Sequence, residues 1–146
     1  MNGQADIVAH AQHWIGTPYH HRASLRGAGA DCLGLIRGIW RAQCGAEPVP
    51  VPDYSPSWAE AGGDEALWQA LMRHMTPASV PADGQVLLFR LQSRALAKHL
   101  GIQCGGGAQF IHACPRAGVV QAPLSAPWAR RIVARFTFPA VFDRME

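Results

Sequence analysis

Ile7, Val8, Ala11, Trp14 and Ile15 recur at helical spacing and predict a first helix over roughly residues 4 to 15, ended by Gly16-Thr17-Pro18. A second helix is expected from Asp31 to about Gln43. Its apolar stripe is Cys32, Leu35, Ile36, Ile39 and Trp40, and Gly45 supplies a stop. Leu67, Trp68, Leu71, Met72 and Met75 mark a third. Between the last two, residues 46 to 63 hold Pro48, Pro50, Pro52, Pro56 and Gly62-Gly63, a pattern for an extended loop wrapped over one domain. Beyond Pro81 the pattern shortens to β segments at Gln85 to Leu91, Lys98 to Gln103, Ala108 to Ala113, Val119 to Ala122 and Arg131 to Phe138. Helices followed by strands imply an α+β fold, with the N-terminal helices packed on a mostly antiparallel sheet. Residues 1–146 are expected to form one domain.

The glycine run in Cys104-Gly105-Gly106-Gly107 reads as the connection of a hairpin. If residues 104 to 107 form the loop, 103 faces 108 and 102 faces 109, and counting back sets His99 opposite His112. Directly opposed residues share a sheet face, near enough for one imidazole to orient the other. A one-residue slip would break that pairing.

Composition narrows the classes. Hydrophobic residues at 49% of 146 suffice for a core without staples. The net charge of +3 is spread along the chain with no basic run or aromatic platform, which disfavours nucleic acid as a partner. Cys32, Cys44, Cys104 and Cys114 form no C-x-x-C pair and are expected to be reduced thiols. No segment is long and apolar enough for a membrane span, and the N-terminus lacks the pattern of a signal peptide. Synthesis in the cytoplasm is therefore expected.

The most informative run is Gly29-Ala30-Asp31-Cys32-Leu33-Gly34. Asp31 can cap the helix and set Cys32 in its first turn, where unpaired N–H groups and the macrodipole favour a thiolate. A buried structural cysteine is the competing reading. With a histidine as base and a second imidazole to orient it, Cys32, His99 and His112 make a candidate nucleophilic triad. The Cys32 N–H is one expected oxyanion donor; a second is unidentified. Each histidine alone would more often be a hydrogen-bonded structural residue. His10, His13 and His74 read as helix-face residues, and His20-His21 as a loop near the site. Zinc held by His99, Cys104, His112 and Cys114 is the chemical rival, but Cys104 sits at the hairpin tip and no close ligand pair occurs. No metal or cofactor is expected.

Taken together, Trp14-Ile15-Gly16-Thr17-Pro18-Tyr19, Asp31-Cys32-Leu33-Gly34-Leu35, Pro81-Ala82-Asp83-Gly84-Gln85-Val86-Leu87-Leu88-Phe89, His99-Leu100-Gly101-Ile102 and Phe110-Ile111-His112-Ala113 resemble the NlpC family of cell-wall cysteine peptidases. The resemblance covers nearly the whole chain. It implies a papain-like fold, with Cys32 as nucleophile, His99 as base and His112 as the third polar member. It also implies that Tyr19 lines the substrate site and that Asp31 caps the helix and shapes the pocket. Leu33 departs from the serine of many relatives and alters pocket polarity. The implied substrate is the peptidoglycan stem peptide, at the bond between γ-D-glutamate and meso-diaminopimelate, with Arg22 or Arg37 available to pair with its carboxylates. The lack of an evident export signal or wall-binding repeat is similar to peptidases of phage or gene-transfer-agent tails, so tail-tip or baseplate proteins are expected partners and the periplasmic wall the site of action. An amidase, an acyltransferase, or a non-catalytic wall-binding part of a tail tip are the alternatives.

Overall fold

The computed structural model describes residues 3–48, 66–91 and 97–139. Helix α1 covers Gly3–His13 and buries Ile7 and Ala11. It ends two residues before the periodic pattern does: the chain turns at Trp14 to Gly16, so Trp14 still enters the core while Ile15 is exposed. Strands β1 (Ser24–Leu25) and β2 (Gly29–Ala30) form a small antiparallel ribbon that the sequence reading missed. Two-residue strands carry no periodicity to detect.

Helix α2 covers Cys32–Gln43 and buries Leu35, Ile36 and Ile39. Its start follows from Asp31, an extended N-cap whose Oδ1 accepts a hydrogen bond from Gly34 N at 2.7 Å. Gly45, in the left-handed region at φ 95°, follows its C-cap. Helix α3 (Ala66–His74) turns Leu67 and Leu71 inward, but Met72 is exposed. The loop expected over residues 46 to 63 lies outside the described residues from position 49 onward.

Strands β3 (Thr76–Pro77), β4 (Val86–Phe89), β5 (His99–Cys104), β6 (Gln109–Cys114), β7 (Gly118–Pro123) and β8 (Ile132–Thr137) form one sheet. Its order is β3-β8-β4-β5-β6-β7, and every neighbouring pair is antiparallel. The α+β architecture expected from the sequence is the one observed. Alternation divides the sheet into two faces. Val86, Leu88, Leu100, Ile102, Cys104, Ile111 and Ala113 join residues of α1, α2 and α3 in the larger core. On the other face Leu87, Phe89 and Phe110 form a smaller cluster, against which Trp128 packs from the short helix α4 (Ala126–Ala129).

The hairpin register differs from the arithmetic. The pairs are Ile102↔Ile111, Gln103↔Phe110 and Cys104↔Gln109, because Cys104 completes β5 and Ala108 joins the turn after Gly105–Gly107. Continuing that count sets His112 opposite Gly101, so His99 and His112 are diagonal neighbours. The shift is two residues, an even number, and both side chains stay on one face.

Candidate active site

Cys32 stands at the first position of α2, and the loop before it is held tightly. Asp31 is buried; besides capping α2 it accepts a hydrogen bond from Arg22 N at 2.7 Å, and its Oδ2 lies 3.8 Å from His21 Nδ1. Ala23 packs so closely on the first turn that a Cβ at Gly34 would collide with the Ala23 carbonyl. These contacts fix the point from which the thiol projects.

The sulfur reaches the start of β5, where the thiol donates to the Lys98 carbonyl at 3.6 Å. A cavity of about 340 Å³ opens here, and Tyr19, Asp31, Cys32, His99 and His112 all line it. The structure thus gathers the three triad candidates with Tyr19 and Asp31 around one cavity, which neither Arg22 nor Arg37 lines. His99 Nε2 and His112 Nδ1 are hydrogen-bonded at 2.8 Å. That bond leaves Nδ1 of His99 as the second nitrogen of the ring. Phe110 stacks on His112, with ring centroids 4.1 Å apart.

Trp128 was missed from the sequence. Its ring lies 5.7 Å from that of His99 and 5.2 Å from that of His112, closing the apolar face of the pair. His21, left without a role by the sequence, also lines the cavity, as do Lys98 and Cys114. Cys114 Sγ lies 3.3 Å from Nε2 and 3.6 Å from Nδ1 of His112. Such similar distances put the sulfur over the ring, in line with neither nitrogen. Cys104, by contrast, belongs to the larger core on the face opposite His99, so it cannot join the histidines around one ion. Arg37, considered for substrate carboxylates, is engaged by Glu47, with Nε donating to Oε1 at 2.7 Å.

Electrostatics correct one expectation. Burial, together with the Asp31 carboxylate, pushes the Cys32 thiol up to about 12. N–H groups of Leu100, Leu33 and Cys32 itself favour the thiolate but are outweighed. Burial, with a contribution from His112, pushes His99 down to about 3, and burial alone takes His112 down to about 4. Tyr19 is raised to about 12 by burial and by the nearby Cys32 and Asp31. The resting site at neutral pH is a thiol beside neutral imidazoles. The helix-start argument for a resting thiolate fails because the helix field is local and weaker than desolvation.

The NlpC/P60 family model matches residues 16–136, from the turn before Tyr19 to the last strand of the sheet. The chain belongs to the NlpC/P60 family. Among solved structures, the NlpC/p60 domain of the peptidoglycan hydrolase SagA superposes with a TM-score of 0.61 at 25% identity, covering 94% of this chain and 100% of that one. An NLP/P60 family protein similar to lipoprotein, from Staphylococcus aureus subsp. aureus Mu50, gives 0.62 at 17% identity, covering 95% of this chain and 42% of its own. An NlpC/P60 family protein from Bacillus cereus ATCC 10987 gives 0.61 at 20% identity, with 90% and 39% covered. The chain therefore spans less than half the length of the last two, and these likenesses speak for the fold. No curated protein matches in sequence.

Proposed function

We propose that this NlpC/P60 protein is a cysteine peptidase of peptidoglycan, cleaving stem peptides at the bond between γ-D-glutamate and meso-diaminopimelate. The observation that carries the reading is the His99–His112 hydrogen bond on the wall of the same cavity as Cys32. The domain of the hydrolase SagA, similar over its full length, supports the substrate class.

In this mechanism Cys32 leaves the Lys98 carbonyl and gives its proton to Nδ1 of His99. That nitrogen is a base only if Nε2 carries the hydrogen and donates to Nδ1 of His112, which also steadies the imidazolium that forms. Sulfur adds to the carbonyl carbon, and the oxyanion is met by the Cys32 N–H. Collapse breaks the C–N bond, His99 returns the proton to the leaving amine, and a thioester remains. Water, deprotonated by His99, then hydrolyses the thioester and frees Cys32. The neutral resting pair suits this order, since proton transfer is coupled to attack.

Tyr19 and Asp31 act as walls of the substrate site. Delivery by a phage or gene-transfer-agent tail, with action in the periplasm, is a proposal resting on the sequence resemblance alone. Its test is the protein's presence among the tail components of purified particles.

Digestion of purified peptidoglycan by the wild type and Cys32→Ala, followed by mass spectrometry, tests the central reading. New amino groups on diaminopimelate with the wild type alone are the expected result. Equal product from both proteins would overturn the catalytic assignment. Peptide released from the sugar would make the protein an amidase.

A further inference from the structure

The sulfur of Cys32 sits where a sheet ladder should continue and does not. Strand β5 pairs with β4 through its odd residues: Gln103 N donates to Gln85 O, in a register that continues through Gly101↔Leu87 and His99↔Phe89. Its even residues, Leu100, Ile102 and Cys104, therefore direct their N–H and C=O groups toward β6, whereas Lys98, before the strand, gives its N–H to Phe89 O on β4. That ladder includes Cys104↔Gln109 and Ile102↔Ile111 and stops. The next hydrogen-bonded pair would be Leu100 with Ala113. Strand β6 itself runs on, pairing as far as Cys114↔Gly118 with β7. The strands separate, which leaves Leu100 outside the β5–β6 ladder; Lys98, just before β5, would face Pro115, which has no N–H to give its carbonyl. The Lys98 carbonyl accepts from the thiol at 3.6 Å, two residues from Leu100, whose N–H is among those that favour the thiolate.

The gap also explains how the site is assembled across a sheet. Cys32 is carried by α2 and packs partly against the larger core, whereas His112 stacks on Phe110 on the opposite face. A closed ladder would separate thiol from imidazole.

Resting on the nucleophile reading above, we propose that this break in the β5–β6 ladder is a two-position cradle for the Cys32 sulfur: the Lys98 carbonyl holds the protonated thiol, and the Leu100 amide donates to the thiolate. Leu100 thus contributes a catalytic group through its backbone, and its side chain, fully enclosed in the core, only fixes the strand. The step balances simply. The S–H bond breaks, its proton goes to Nδ1 of His99, and the sulfur exchanges a bond donated to Lys98 O for one accepted from Leu100 N–H. A donor present before the charge forms needs no reorganisation when it does.

The test replaces the Leu100 residue with its α-hydroxy acid counterpart, a backbone ester that deletes the N–H and keeps the side chain. A charge-assisted hydrogen bond predicts that the pH profile of Cys32 alkylation by iodoacetamide moves up by about one unit or more, and that acylation slows about tenfold or more. The same ester at Ile102, inside the ladder, is expected to lower stability and leave the profile in place. A folded Leu100 ester with an unmoved profile would overturn the proposal. If the ester does not fold, the wild type decides: the Leu100 amide resonance must shift with the same midpoint as Cys32 alkylation, and a resonance that ignores this titration overturns the cradle. Activity retained by Cys32→Ala would instead sink the nucleophile reading, so the two failures are distinct.

Discussion

The two ends of the β5–β6 hairpin differ in almost every respect. At the closed end, Asp83 accepts hydrogen bonds from Gly106 N at 2.8 Å, Gly107 N at 3.1 Å and Gln103 Nε2 at 3.1 Å, and the ladder is continuous. At the open end the ladder stops, and the backbone faces a cysteine from another element. One end satisfies its polar groups internally and specifies the register. The other leaves them for chemistry, and the regular pairing of the first is what makes the irregularity of the second reproducible. A site can be built by withholding secondary structure where a rigid scaffold would otherwise complete it.

Breaking the open end is expected to have the largest effect. His99→Ala removes the proposed base and should lower kcat on peptidoglycan fragments by about 10²–10⁴-fold, with little change in folding. Single-turnover measurements with purified stem peptide check this; a loss below tenfold would remove His99 from the mechanism. Trp128→Ala comes next. Trp128 is half-buried against Phe89, Phe110 and both imidazoles. Its truncation is expected to cost about 2 kcal/mol in urea denaturation, part of the usual cost for a fully buried aromatic. It should also move the rate profile, because water would reach the histidine pair.

The closed end should respond in the opposite sense. Asp83→Ala strands the Gly106 and Gly107 amides and the Gln103 amide group, and is expected to lower stability by about 1–2 kcal/mol. The alkylation profile of Cys32 in the folded fraction should not move. If it does, the two ends are coupled and the contrast between them is lost.

What the sequence could reveal follows the same division. Asp31, Cys32 and the stripe of Leu35, Ile36 and Ile39 were legible because a cap and a helical period are local signals. The strands were legible within a residue or two, apart from the shortest, because alternation against a core is also local. The turn count erred by two because nothing in Cys104-Gly105-Gly106-Gly107-Ala108 says which residue ends the strand. The error kept His99 and His112 on one face because face depends only on parity. Trp128 was invisible, since one turn of helix has no period and its contacts depend on where β7 hands the chain to β8. The charge state of Cys32 was misread for a related reason. Capping and dipole come from neighbours in sequence, whereas desolvation comes from residues distant in sequence that gather around the thiol, such as Tyr19, Lys98 and His99. The ladder break, too, exists only as a relation between β5, β6 and α2.

The smallest expected effect is thermodynamic and concerns the histidines alone. His112 is buried, and in the folded protein its imidazole is held neutral to about 4, against an ordinary value of 6.5. The unfolded chain therefore binds more protons between these values, and stability must fall as pH drops through that window. Between pH 7 and 6 the cost per histidine is about half of the 1.36 kcal/mol that a full proton difference would give, because the unfolded imidazole is only partly protonated there. Urea denaturation at pH 7, 6 and 5 should show the decline steepening with acidity. In His112→Asn the slope should flatten while Asp83→Ala keeps it, since only the first variant alters the groups that must stay neutral at the open end. Parallel slopes in all three proteins would place the acid sensitivity elsewhere, and would mean that the enclosure of the histidine pair is not what distinguishes the open end of the hairpin.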